Sequence, residues 1–164
     1  MRRRHGIAIA FHGSAEAIDL YLAGRADVAG FHVAELATGK PGSDPKQATP
    51  GSDPSDPLLS RLHAARDAVL PFVVRTQGLI LPRGNPAGVR SLADVAAKRL
   101  RFVNRQPGSG TRIALERLVA REGIDPAAIT GWTHEEFTHA AGAATIAAGE
   151  AEAGFGIRAA AAQL

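Results

Sequence analysis

The chain has 164 residues, of which 45% are hydrophobic and 21% are charged, a composition typical of a globular domain and not of a disordered segment. The net charge of +3 is small, although sixteen arginines against three lysines supply planar cationic side chains suited to oxyanions. The absence of cysteine excludes disulfides, thiolate metal sites and cysteine nucleophiles.

The first elements are predicted to be a strand, a helix and a second strand. An apolar run at residues 7–11 indicates a short buried strand, and a helix is expected over residues 15–23 with Ser14 as its N-cap. The second strand is predicted at residues 28–33, which implies a parallel pair with a right-handed crossover. Since no export signal and no apolar stretch of about 20 residues is visible, we expect a cytoplasmic protein without a membrane span.

A proline- and glycine-rich segment at residues 38–57 carries the tetrapeptide Gly-Ser-Asp-Pro twice. It offers no apolar face, so we interpret it as a flexible insertion. Helical character returns over residues 58–70, and short strand-type segments follow at residues 69–74 and 78–81. Residues 58–90 are therefore assigned to a helix and to crossing strands.

From Ser91 the alternation of helices and strands resumes, and we assign residues 91–129 to a second lobe. The predicted elements are a helix capped by Ser91 and ending near residue 98, a strand at 100–103, a helix at 111–122, a short helix at 125–129, a strand at 132–137, a helix at 140–148 and a strand at 153–157. The pattern predicts the α/β class with one or two mainly parallel sheets.

The two ends of the chain resemble each other. Residues 11–31 comprise a phenylalanine, a polar loop, a helix and the run Ala-Gly-Arg-Ala-Asp-Val-Ala-Gly-Phe, and residues 137–155 repeat this order with one residue fewer in the run. Such a pair favours two related lobe units, within residues 1–37 and 130–164. Coincidence in a chain rich in alanine and glycine is the alternative.

The best candidate site is the loop at residues 108–112, between a predicted strand and a predicted helix. Backbone N–H groups at a helix start lack intrahelical partners, glycines allow close approach, and the hydroxyls of Ser109 and Thr111 can donate hydrogen bonds. Arg112 or Arg105 would supply a charged fork. We interpret the loop as an anion cradle; a glycine turn whose serine or threonine only caps the helix is the alternative.

Ser14, Thr138 and His139 are further candidates because they stand between a predicted strand and the next helix, where ligands of open α/β sheets bind. Capping is the stronger interpretation for Ser14, whereas for Thr138 the capping and ligand roles are balanced. The spacing of His134 and His139 does not fit a helical metal pair, and no nucleophile elbow is present. We therefore expect neither catalytic residues nor a metal or cofactor, and not an enzyme.

Four segments together resemble a known family, the periplasmic-binding-protein-like (type 2) domain that is fused to molybdopterin-biosynthesis proteins and to helix-turn-helix regulators. They are Ala-Gly-Arg-Ala-Asp-Val-Ala-Gly at 23–30, Gln-Gly-Leu-Ile-Leu-Pro-Arg-Gly-Asn-Pro at 77–86, Arg-Phe-Val-Asn-Arg-Gln-Pro-Gly-Ser-Gly-Thr-Arg at 101–112 and Glu-Phe-Thr-His at 136–139. Related transport proteins bind molybdate or tungstate between two lobes. The resemblance implies Ser109, Gly110, Thr111 and Thr138 as ligand contacts.

The resemblance also implies a strand, a ligand loop and a helix ahead of residue 7, so the first strand-helix unit of a two-lobed fold is expected to be lacking. We expect the surface left open to be covered by a second copy, in a homo-oligomer. The leading hypothesis is a sensor or delivery domain for a small anionic ligand. The alternative is a regulatory or protein-interaction effector domain with a degenerate ligand site. Direct nucleic-acid binding is not expected, since no helix-turn-helix pattern is present.

Overall fold

The computed structural model describes residues 6–33, 56–63, 65–73 and 75–162. Its helices are α1 (Ser14–Leu22), α2 (Leu92–Ala97), α3 (Gly110–Arg121), α4 (His139–Ala147) and α5 (Arg158–Ala161), with single 3₁₀ turns at Leu59–Arg61 and Pro126–Ala128. Its strands are β1 (Gln77–Ile80), β2 (Phe102–Arg105), β3 (Glu135–Glu136) and β4 (Ala153–Ile157). The predicted α/β class is confirmed.

The four strands form one sheet in the order β1-β4-β2-β3. β2 is parallel to both of its neighbours, β3 and β4, whereas β1 runs antiparallel to β4 and places Gln77 opposite Ile157. The carboxyl ends of β2, β3 and β4 therefore meet the start of β1 at one edge of the sheet. Because α3 follows β2 and α4 follows β3, both helices begin at this same edge.

The core lies on both faces of the sheet because successive residues of β2 point to opposite sides. Phe102 is fully buried in a cluster with residues of α2 and α3, among them Val95 and Leu115. Val103 belongs to a second cluster that includes Ile146 of α4. The sheet is thus covered on one face by α2 and α3 and on the other by α4 and α5.

The helix ends confirm several local predictions. The hydroxyl of Ser91 accepts from the N–H of Asp94, whose carboxylate accepts in return, forming a capping box. The hydroxyl of Thr138 caps α4 in the same way by accepting from the N–H of Ala141. Strand β4 has the predicted bounds, whereas the strand predicted at 132–137 contracts to the two residues of β3.

The predicted strands at residues 7–11 and 28–33 are wrong. Neither segment has strand structure, and the side chains of Ile7 and Phe11 are 84% and 96% exposed. A strand forms only where a neighbour completes its hydrogen bonds, and the part of the chain that the structure describes places no strand beside either segment. The parallel pair inferred from them is therefore also absent from the described residues.

The helix predicted at 58–70 is likewise wrong, since its described residues form a 3₁₀ turn at Leu59–Arg61 and a hydrogen-bonded turn between His63 and Asp67. The described residues of the segment at 69–73 are not a strand, and Phe72 is 98% exposed. The predicted insertion at residues 38–57 lies outside the described residues except for its last two. Of these, Asp56 is buried and pairs with Arg117 of α3 at 2.9 Å.

The longest helix, α3, has 12 residues, and among the described residues no helix has the length and apolar character needed to cross a membrane.

Candidate functional site

The sheet edge at which α3 and α4 begin brings together most of the predicted site residues. Gln77, at the start of β1, donates from Nε2 to the hydroxyl of Thr111 at 3.1 Å. A cavity of about 10 Å³, with room for roughly one water molecule, lies between β1, β2, β4 and α4, and its lining includes Arg105, Thr138 and His139. The edge therefore carries a contact between Gln77 and Thr111 and a small cavity beside Arg105, Thr138 and His139.

The loop before α3 is covered by the protein itself. The four residues Ser109–Arg112 are buried, and the N–H of Ala15 in α1 donates to the carbonyl of Gly108 at 3.1 Å. A Cβ on Gly110 would lie only 2.5 Å from the Cβ of His32. The glycine is therefore required for the approach of His32, and the hydroxyl of Ser109 acts as a helix cap by accepting from the N–H of Arg112.

Arg112 points into the protein. Its Nε donates to Glu116 at 2.7 Å, and its Nη1 donates to the carbonyl of Trp132 at 3.3 Å. The guanidinium also lies 4.5 Å from the centre of the Trp132 ring and 3.5 Å from Glu135. These contacts join α3 to the segment before β3, and they give no support to the predicted ligand contact of Arg112.

Arg105 lies at the end of β2 and bridges to β3. Its Nε donates to the carbonyl of Glu136 at 3.0 Å and its Nη2 to the carbonyl of Phe137 at 2.8 Å. Both acceptors are neutral, and burial together with the charge of Arg75 lowers the pKa of Arg105. The site thus holds a partly buried guanidinium without a carboxylate partner among the described residues.

His139 is the first residue of α4 and lies against β4. Its Nδ1 atom is buried and has no hydrogen-bond partner in the part of the chain that the structure describes. Burial, and then the charges of Arg105, Arg75 and His32, lower the pKa of His139 to about 4. The imidazole is therefore neutral at pH 7, while Thr138 beside it serves as the N-cap of the helix.

Ser14 is the first residue of α1 and not its N-cap, which is Gly13; this prediction was wrong. Its hydroxyl instead accepts from the N–H of His32 at 3.2 Å. Ser14 therefore holds His32 against the start of α3. A side-chain cap at the start of α1 is missing because the hydroxyl is used in this longer-range contact.

Two residues of the edge, His32 and Arg75, were missed by sequence reasoning. The Nδ1 atom of His32 is also buried and has no partner within residues 6–33, 56–63, 65–73 and 75–162. Burial and the charge of Arg75 lower the pKa of His32 against the opposing effect of Asp56. Arg75 stands two residues before β1, and it reaches the site only because β1 runs antiparallel to the other strands. That direction has no local signal in the sequence.

The family assignment rests on a match along the whole chain. A family model described as the PBP superfamily domain matches residues 1–164. The chain belongs to the PBP superfamily. This confirms the periplasmic-binding-protein-like resemblance and indicates a domain that binds a small ligand.

A relative of this PBP domain is the uncharacterized protein YvgK of Bacillus subtilis (strain 168), which is 28% identical over 140 residues. The match covers 85% of the chain but 41% of the relative, so the chain spans about two fifths of that protein's length. No solved structure matches the chain.

The charges that act on Arg105 and His139 of this PBP domain are cationic. The described residues contain no group of three or more histidine, aspartate or glutamate side chains placed to hold a metal ion. The charge of Arg75 acts on Arg105 and on both histidines, and each of these three pKa values is lowered. Burial is the largest cause of each shift, and the charge of Arg75 adds to it.

Proposed function

We propose that this PBP domain binds a small oxyanion, of the class of molybdate and tungstate, at the sheet edge where α3 and α4 begin. The observation that carries the proposal is the pair of guanidinium groups of Arg75 and Arg105. No carboxylate of the described residues lies within ion-pair distance of either. Arg105 is partly buried and Arg75 is exposed, and the charge of Arg75 acts on Arg105. Two like charges repel each other, and a bound anion would offset that repulsion.

The hydroxyl groups of the edge support the same conclusion. The hydroxyl of Thr111 accepts from Gln77, that of Thr138 accepts from the N–H of Ala141, and both keep a proton for donation. A tetrahedral oxyanion has acceptor atoms and no obligatory donors, so it complements hydroxyls placed in this way. Ser109 and Gly110 contribute less directly, because they lie behind the side chain of His32.

The role that fits is a sensor or delivery domain and not an enzyme. The edge supplies charge and hydrogen-bond donors, and no nucleophile with an adjacent base stands out among its residues. We propose that this role is exercised in the cytoplasm.

The test is a calorimetric titration at pH 7 with molybdate, tungstate, sulfate and phosphate. Arg75→Gln should weaken binding about 10-fold or more, because it removes a charge of the site without breaking a hydrogen bond of the fold. Arg83→Gln is the matched control, since Arg83 is exposed and lies beyond the opposite end of β1. Absence of binding by all four anions, or equal losses in the two variants, would contradict the proposal.

A second observation favours a contact with another copy of the chain, and it also suits the alternative role as an interaction domain. Ile9, Phe11 and Phe72 are 75%, 96% and 98% exposed on segments with strand-type sequences and without strand structure. Exposed apolar segments with unpaired backbone groups are self-complementary across a two-fold axis. Sedimentation at micromolar concentration should show a dimer or larger species, which Phe11→Ser should weaken. A monomer of 17.0 kDa would contradict the homo-oligomer.

A further inference from the structure

Two histidines from distant parts of the chain lie near the proposed anion site, and the charge of His32 acts on His139. His32 lies 10 residues beyond the end of α1, whereas His139 is the first residue of α4. The Nδ1 atoms of both are buried and have no hydrogen-bond partner among the described residues. A buried polar atom without a partner is costly, so these two point to a partner that the described residues do not supply.

The groups around His139 are cationic or apolar. Arg105 faces it from the end of β2, Arg75 from the segment before β1, and His32 from the segment after α1. On the remaining side it packs against β1 and β4, where a Cβ added to Gly156 would lie 3.1 Å from the Nδ1 atom and 2.9 Å from Ile80. None of these groups is an anion that would favour an imidazolium.

The surroundings of His32 differ in one respect. Arg75 opposes its protonation and the carboxylate of Asp56 favours it, while Ser14 and Gly110 make the close neutral contacts. The carboxylate of Asp56 is already paired with Arg117. His32 therefore also remains without a dedicated counter-charge.

We propose that His32 pairs with His139 as an anion-binding residue and that these imidazoles take up protons when the anion binds, which makes binding proton-linked. The proposal rests on the anion site described above. A bound oxyanion supplies both the acceptor that an Nδ1–H needs and the negative charge that stabilises an imidazolium. By reciprocity, a proton on either ring strengthens anion binding by the same factor by which the anion strengthens protonation.

The size of the effect follows from the state of the free protein, in which the pKa of His139 is lowered to about 4. An opposite charge nearby raises the proton affinity of a titratable group by a factor of about 10 to 1000. A factor of about 100 at His139 makes the anion bind about 10-fold more tightly at pH 5 than at pH 8. The same factor gives uptake of about half a proton per anion at pH 6 and almost none at pH 8.

The experiment is titration calorimetry of the full chain with sulfate and with molybdate at pH 6 and pH 8, in buffers of different ionisation enthalpy. Proton uptake at pH 6 that disappears at pH 8 is expected. A sulfate series between pH 5 and 8 gives the change in affinity, since sulfate stays a dianion over this range. Binding without proton uptake would overturn the proton linkage and leave the anion site standing. Absence of binding at every pH would overturn both.

Variants assign the protons to the two rings. His139→Asn and His32→Asn should each reduce proton uptake and flatten the pH dependence of affinity, whereas His134→Asn, at an exposed histidine, should change neither. Where a variant fails to fold, NMR titration of the imidazole C–H signals of the unmodified chain replaces it. The signals of His32 and His139 should titrate at higher pH when sulfate is present. Titrations that sulfate leaves unchanged would overturn the proposal.

Discussion

Replacement of Arg117 by leucine tests how the segment after residue 55 is held against the sheet. Asp56 is 1% exposed, its Oδ1 accepts from the N–H of Leu58 at 2.9 Å, and its Oδ2 pairs with Arg117 at 2.9 Å. Removing the cation leaves a buried carboxylate without its charge partner, which costs about 3–5 kcal/mol when both groups are fully buried. The side chain of Arg117 is 21% exposed, and the backbone N–H groups that donate to Asp56 remain. We therefore expect Arg117→Leu to lower the free energy of unfolding by about 2–3 kcal/mol.

The assay is urea unfolding at pH 7, read as a shift of the midpoint at constant slope. Asp56→Asn is the control because an amide oxygen still accepts from Leu58, so its loss should be smaller, about 1 kcal/mol. In the double variant with Arg117→Leu and Asp56→Asn, the leucine no longer faces a buried charge. Adding Arg117→Leu to Asp56→Asn should therefore lower the free energy of unfolding by only about 1 kcal/mol. A loss below about 0.5 kcal/mol in Arg117→Leu, or strict additivity in the double variant, would refute this account of the pair.

Three shorter predictions concern pH and local geometry. The pKa of His139 is lowered to about 4 in the folded protein from about 6.5 in the unfolded chain, so its contribution to the free energy of unfolding is full above pH 6.5 and is lost as the pH falls toward 4. The loss should be about 1–2 kcal/mol after allowance for solvent. A series of melting curves against pH should show it, and His139→Asn should flatten that dependence. Gly131→Ala should lower the free energy of unfolding by about 2–4 kcal/mol, because φ is +83° and the added Cβ would collide with the backbone of Phe102. Gly149→Ala is the control, since φ is +75° in open space, and it should cost about 1 kcal/mol; equal urea midpoints in the two variants would contradict the collision. Ser91→Ala should cost about 1 kcal/mol through loss of the capping box, and an unchanged melting temperature would count against that role.

The elements from residue 75 onward could be predicted to within a few residues because their signals are local. Ser91 and Thr138 are cap residues, and their helices begin where the sequence places them. The strand at Ala153–Ile157 alternates and ends at a helix, so its bounds also follow from the sequence. Local capping and periodicity suffice where the tertiary neighbours are present to complete them.

The elements before residue 75 could not be predicted in the same way. The apolar runs at residues 7–11 and 69–73 have strand composition, but strand formation depends on a neighbour that no local pattern reveals. Ile7 and Phe72 remain exposed for that reason. The helix α1 is the exception, since a helix forms its backbone hydrogen bonds within itself.

Some residues of the candidate site could be predicted from local sequence signals, and others could not. Arg105, Thr111, Thr138 and His139 reach the sheet edge because each stands beside the end of a strand or the start of a helix, a position that sequence periodicity supplies. Arg75 reaches it through the antiparallel direction of β1, which is a property of topology. Arg112 belongs to the same motif as Thr111, yet it faces Trp132, because adjacent residues of a helix point about 100° apart.

The glycine loop shows how a correct motif can have a different physical reason. The sequence favours close approach of a ligand at Gly110, but the residue that approaches is His32, whose Cβ occupies the space in front of the helix start. An anion that binds at this edge therefore meets His32 before it meets the N–H groups of α3. Under the proposed proton linkage, the loop acts on the ligand through the histidine that it admits, and the affinity of the site depends on the protonation of that ring. This is why we expect proton uptake, and not the capping hydroxyl of Ser109, to separate a functional site from a structural turn.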